Sequence, residues 1–225
     1  ENKKNNFLAC IDFHKLTSGI SFLDVSTGEF FVAQGNNEYI DKLLQGFQPN
    51  EIIIQKSKVA DFNALFGNKF YTTTFEDWVF TNDFAKDLLL KHFKIASFKG
   101  FGIENMNHVI IAAGAAMHYL FETHHREVDH INKVTRIEED HYVWLDRFTI
   151  RNLELIHSPH EHAKTLLDII DRTVSPMGSR MLKRWLVLPL KNQQPIEERL
   201  EIVDYFFYQS KTKDALFHEI NQLCD

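Results

Sequence analysis

An α/β layer domain followed by a mostly helical region is the fold class predicted for this 225-residue chain. Three observations predict it. Short apolar runs separated by turn residues fill the first third, as antiparallel strands require. Strand-like and helix-like segments then alternate up to about residue 93, the signature of an α/β layer. Beyond about residue 165 helical spacing dominates. The composition agrees: 44% hydrophobic residues suffice for a packed core, and only 9 Gly and 5 Pro favour regular structure over loops.

Residues 7–13 form a mostly apolar run, expected of a strand covered on both faces. Residues 20–25 make a second strand, Ser26-Thr27-Gly28-Glu29 a turn in which Gly28 is free to take positive φ, and residues 30–33 a third strand. Together they predict an antiparallel meander. Residues 37–46 have helical spacing through Tyr39, Leu43 and Leu44, with Gly46 as the stop signal. Residues 51–55 are a short β-branched strand, 59–66 a helix closed by Gly67, 70–73 another strand, and Trp78 with 81–93 helical again. The longest helix is expected over 103–124. Its centre, Ala112-Ala113-Gly114-Ala115-Ala116, is small on every face and suits close approach to a sheet or another helix.

The polar stretch 123–130 marks the expected boundary, giving domains 1–129 and 130–225, with His124-His125-Arg126-Glu127 as a hinge. After it, 133–145 reads as extended, and helices are expected over 165–170, 176–187, 195–208 and from 214 to 223. Ser175 and Pro176 supply a cap and a first-turn proline to the second of these. On its wheel Met181, Leu182, Trp185 and Leu186 lie on one side around Gly178. Arg180, Lys183 and Arg184 lie opposite, as a solvated basic face or one that meets phosphate.

The formal net charge of −6 argues against this chain gripping nucleic acid by itself, since a compact nucleic-acid module is usually basic. Cys10 and Cys224 are too few and too far apart for a disulfide framework. The opening residues lack the apolar core of a signal peptide, and the longest apolar run, 109–117, is too short to span a bilayer. A cytoplasmic protein without a membrane partner is expected.

Residues 145–155, with Arg151-Asn152-Leu153-Glu154 among them, resemble the start of the core domain of MutS-type DNA mismatch-repair proteins. Residues 165–186, from Thr165-Leu166-Leu167-Asp168 through Ser175-Pro176-Met177-Gly178-Ser179-Arg180 to Trp185-Leu186, resemble that family's most recognisable stretch outside its ATPase. Pro189-Leu190 and Ile196-Glu197-Glu198-Arg199-Leu200 continue in register. Residues 19–30 and 98–104 are similar, more loosely, to strands and a helix start of the family's connector domain. Ser158-Pro159-His160-Glu161-His162-Ala163 departs from the Gly-rich loop of many relatives. The resemblance implies an RNase H-like connector followed by a truncated helical core (lever) domain, both ends cut from a longer protein. It implies partners for the whole protein: mismatched double-stranded DNA, MutL, and a second MutS subunit in a homodimer. It also implies an ATPase using ATP and Mg through a domain this sequence does not contain; the Gly-x4-Gly-Lys-Ser/Thr phosphate loop occurs nowhere in the chain. No cofactor and no catalytic residue are expected here.

Two other chemistries are open to these residues. A nuclease of RNase H type would use Asp12 on the first strand with Asp24 on the second, although Gln55-Lys56 stands where a further carboxylate is wanted. A metal site would use His157, His160 and His162 in one loop, without the paired Cys or helical His spacing of a dedicated site. A plain interaction module is the third reading. Phe217-His218-Glu219 matches the minimal Phe-x-Glu mismatch-reading pattern, but on an expected helix in the wrong domain it is a coincidence.

Overall fold

The computed structural model describes residues 6–14, 16–123, 128–143, 145, 147–160 and 163–222. The chain divides into two compact units, the first spanning 6–137 and the second lying within 138–225.

In the first unit the meander forms as expected. Strands β1 (Phe7–Asp12), β2 (Ser18–Asp24) and β3 (Phe30–Gly35) are antiparallel, in registers that place Phe7 opposite Asp24 and Ile20 opposite Ala33. Gly28 turns the β2–β3 connection with φ 72°. Helix α1 (Asn37–Phe47) is capped by the Asn36 side chain, which accepts from Tyr39 N–H at 2.8 Å. It runs past Gly46, and Gln48 ends it instead in the left-handed region at φ 49°. Strand β4 (Glu51–Gln55) returns parallel to β1, and helix α2 (Val59–Phe66) ends at Gly67 as expected. Strand β5 (Thr72–Phe75) lies two residues later than the sequence suggests and is parallel to β4. Helices α3 (Asn82–Phe93) and α4 (Asn107–Thr123) follow. α4 is the longest helix of this unit, beginning four residues after the expected start.

Period-two alternation sends successive side chains of each strand to opposite faces. Phe22 meets Phe7 and Phe47 on the α1 side, while Leu23 joins Leu89, Ile110 and Ala113 on the α3–α4 side. The small centre of α4 explains how closely it packs: Gly114 lies against Ala85 of α3, where an added Cβ would come within 2.5 Å. At its start, Gly19 of β2 leaves room for the backbone of His108, which a Cβ would meet at 2.2 Å.

The segment 130–137, expected to open the second domain, runs with this unit. Ile131 and Val134 join its core, and strand β6 (Thr135–Arg136) pairs parallel with β3, giving the sheet order β5-β4-β1-β2-β3-β6. The expected hinge, His124 to Glu127, lies outside the described residues.

The second unit contains helices α5 (Arg147–Asn152), α6 (Leu166–Ile170), α7 (Pro176–Val187), α8 (Gln193–Tyr208) and α9 (Ser210–Gln222). Val143 N–H donates to Pro189 C=O at 2.8 Å and Lys191 N–H to His141 C=O at 3.0 Å, so the expected extended segment pairs with the turn after α7. No described helix of the chain is long and apolar enough to cross a membrane.

Candidate functional site

The segment 165–179 is held by the hydrogen bonds of short polar side chains. Thr165 caps α6: its Oγ1 accepts from Asp168 N–H at 3.2 Å, and Asp168 Oδ2 accepts from Thr165 N–H at 2.9 Å, a reciprocal capping box. Those bonds from Thr165 hold the Asp168 carboxyl below its ordinary range. Asp171 then gathers the chain between helices. Its Oδ1 accepts from Thr173 N–H at 3.0 Å and Thr173 Oγ1 at 2.6 Å, and its Oδ2 from Ser179 Oγ at 2.6 Å. Ser175 caps α7 as expected, Oγ accepting from Gly178 N–H at 3.2 Å. Gly178 faces this turn, with Thr173 Cβ 3.1 Å from where a Cβ would stand.

The basic residues of α7 are not the solvated face that the wheel suggests. Arg180 is 7% exposed, and Lys183 and Arg184 are half-buried, whereas Met181 and Trp185 of the apolar side are exposed. The polar turn at 171–175 holds the inward side of α7 through the Ser179–Asp171 bond, while Met177, Met181 and Trp185 face outward. Arg199 of α8 stacks over the Trp185 ring at 3.7 Å, a cation–π contact. Partial burial, and next the charge of Arg184, pull the Arg199 guanidinium down, while Tyr142 pushes it up. Such a block positions helices and cations. It brings together no nucleophile and base. Asp171 and Arg199 lie within the runs that carry the family resemblance, but helical spacing marked neither of them for the contact it makes.

The nuclease geometry does not assemble. Asp12 stands opposite Gly19 and Asp24 opposite Phe7, at the two ends of the β1–β2 pair. At ~3.3 Å per residue they are ~16 Å apart, against ~4 Å between the metal ions of a two-metal site. Asp12 accepts instead from His108 Nδ1 at 2.7 Å, and Asp24 holds Ser26 N–H at 3.0 Å. Burial pushes the Asp12 carboxyl up, against the His108 hydrogen bond and the charges of His108, His14 and Lys58. Lys56, where a carboxylate was wanted, pairs with Glu76 at 2.6 Å.

Among the described residues no group of three or more His, Cys, Asp or Glu side chains could hold a metal ion. Of the three loop histidines, His162 lies outside the described residues. Phe217-His218-Glu219 lies on α9, with His218 Nε2 2.8 Å from Gln222 Nε2.

Comparison with known proteins matches residues 6–132 to MutS domain II and residues 148–225 to MutS domain III. The DNA mismatch repair protein MutS of Flavobacterium psychrophilum is 54% identical over 224 residues, all of this chain and 26% of the relative. That of Parabacteroides distasonis is 50% identical, again over all of this chain and 26% of the relative. That of Cytophaga hutchinsonii is 52% identical over 99% of this chain and 26% of the relative. The chain therefore spans about a quarter of the length of these curated relatives. It belongs to the MutS family of DNA mismatch-repair proteins, of which it carries domains II and III in order.

Proposed function

We propose that this chain is a non-catalytic part of a MutS-type mismatch-recognition ATPase. It links the mismatch-binding domain to the ATPase, transmits conformational change between them and offers a docking surface for MutL. The observation that carries this reading is the match of two successive family domains, one to each compact unit. An RNase H-like connector is supported by the first unit's sheet, in which β1–β3 are antiparallel and β4 and β5 are parallel to β1. The second unit matches MutS domain III, and the apolar side chains that α7, α8 and α9 leave exposed suit packing against other parts of the whole protein.

In the whole protein, mismatched DNA is held and ATP with Mg is turned over by other domains, in a cytoplasmic homodimer. This chain accordingly binds DNA weakly and without mismatch preference, as its charge of −6 favours. Arg180, Lys183 and Arg184 serve as internal supports of α7 in this reading, with phosphate contact the second possibility. The test immobilises the 225-residue chain and measures binding of purified MutL, then DNA anisotropy with matched and mismatched duplexes at physiological salt. Saturable MutL binding with weak, undiscriminating DNA binding is expected. Absence of MutL binding overturns the docking role, and tight or discriminating DNA binding overturns the linker role.

A further inference from the structure

The sheet of the first unit ends at β5, and the outer side of β5 is open. Ile52 N–H donates to Tyr71 C=O at 2.9 Å, and the parallel register runs from Ile52 opposite Thr72 to Gln55 opposite Phe75. In a parallel pair, alternate residues turn both backbone groups toward the neighbour. Thr73 therefore faces β4, and Thr72 and Thr74 turn their N–H and C=O groups the other way. Among the described residues β4 is the strand partner of β5, and no hydrogen bond from another segment reaches those outward groups. A row of open donors and acceptors on a β-branched strand is a template for a further strand.

Aromatic side chains flank this edge. Tyr71, just before β5, is 70% exposed, and Trp78, just after it, 54%. The Trp78 ring is held edge-on by Phe84 at 5.0 Å and His118 at 5.4 Å, and the Phe75 ring lies 5.3 Å from the same imidazole. The indole is thus fixed in place without being covered, the property of an interface anchor. Tyr71 shares its side of the strand with Thr73 and Phe75, the side on which Tyr119 and His118 of α4 lie.

The charge around the edge is acidic. Glu51 accepts from Tyr119 Oη at 3.0 Å and from the Thr73 hydroxyl. Glu122 lies 3.3 Å from His118, and Glu76 and Asp77 follow β5 directly. Against these carboxylates stand Lys56, already paired with Glu76, and Lys69, folded over Phe70 at 4.9 Å. The complement of such a surface is basic.

We propose that the β5 edge takes an extended, lysine- or arginine-containing segment of a partner protein as an added strand. Thr72 and Thr74 supply its backbone hydrogen bonds, and Trp78 stacks beneath one of its cationic side chains. This assignment does not rest on the mismatch-repair reading.

The test uses the 225-residue chain and a fluorescein-labelled peptide of about ten residues in which lysine alternates with valine or threonine. Two counterparts accompany it, one with glutamate for lysine and one N-methylated at alternate residues. Saturable anisotropy is expected with the lysine peptide, and about tenfold weaker binding or less with either counterpart. Thr74→Pro removes one outward donor without touching the β4 ladder, so it is expected to keep the thermal unfolding transition and lose the peptide. Trp78→Ala is expected to weaken binding severalfold. If Thr74→Pro unfolds the chain, the N-methylated peptide on the unaltered chain reads the same hydrogen bonds. No saturable binding, or equal binding of either counterpart, overturns the proposal. Dimerisation of the chain in light scattering that Thr74→Pro abolishes also overturns it, by assigning the edge to a second copy.

Discussion

The two units use their apolar side chains in opposite ways. In the first, Phe22, Ile20, Leu43, Ile53, Phe62, Val109 and Met117 are all but fully buried, on both faces of one sheet. In the second, burial among the described hydrophobic residues is confined to Ile150, Leu155, Ile156, Val187 and Leu188, while Leu200, Val203, Phe207 and Tyr208 are exposed on α8. Helices α8 and α9 bury none of their described residues. The first unit has the layered core that lets a domain fold by itself, whereas the second holds its turns with caps and carboxylates and leaves its apolar faces open. A shared family and a shared chain do not give two regions equal claims to independent stability.

The sharpest way to break this contrast is a pair of phenylalanine substitutions. Phe22 is fully buried and stacked on Phe47 at 4.2 Å. Phe22→Ala is expected to destabilise the first unit by about 3–5 kcal/mol, through lost burial plus a cavity. Phe207 is 78% exposed, and Phe207→Ser is expected to change stability by no more than about 0.5 kcal/mol while improving solubility. Urea unfolding of both variants checks this, and comparable losses from the two would erase the distinction.

A smaller effect tests what does hold the second unit together. Ser175→Ala removes the cap on α7 and is expected to cost about 1 kcal/mol of local stability, seen as faster amide exchange in the first turn of that helix. Unchanged exchange there would show that the polar turn is not what seats α7.

The smallest expected effect is a pH dependence in the first unit. Burial raises the Asp12 carboxyl in the folded chain, so the folded state holds this proton more tightly than the unfolded one. The contribution is fully present below the ordinary carboxyl range and is lost as pH rises through the raised folded value. Asp12→Asn should flatten that part of the stability–pH curve. A steeper decline in the variant would mean that the His108 pair, not burial, sets the sign.

The meander, the α1–α4 order and the Ser175 cap were legible because each rests on short-range spacing. The start of β5 is not legible to within two residues, because Phe70-Tyr71 and Thr72-Thr73-Thr74 favour strands equally and pairing with β4 makes the choice. The orientation of α7 was not legible. A helical wheel shows that Met181 and Trp185 lie together, but not that Asp171 and Ser179 draw the opposite side inward. The Asp12–His108 bond joins residues 96 apart in the chain, beyond any spacing argument. The two domains were recognised from ordered blocks of residues, while the pairing of Thr135 and Arg136 with β3, which carries the first unit to residue 137, is a long-range contact.

Native-state hydrogen exchange read by mass spectrometry tests the difference between the units most directly, since amide protection reports local opening free energy along one chain. Amides of β1, β2, β4 and α4 should exchange only at the rate of global unfolding. Those of α8 and α9 should exchange orders of magnitude faster under the same conditions. Equal protection in both sets would contradict the view that only the first unit carries a self-sufficient core.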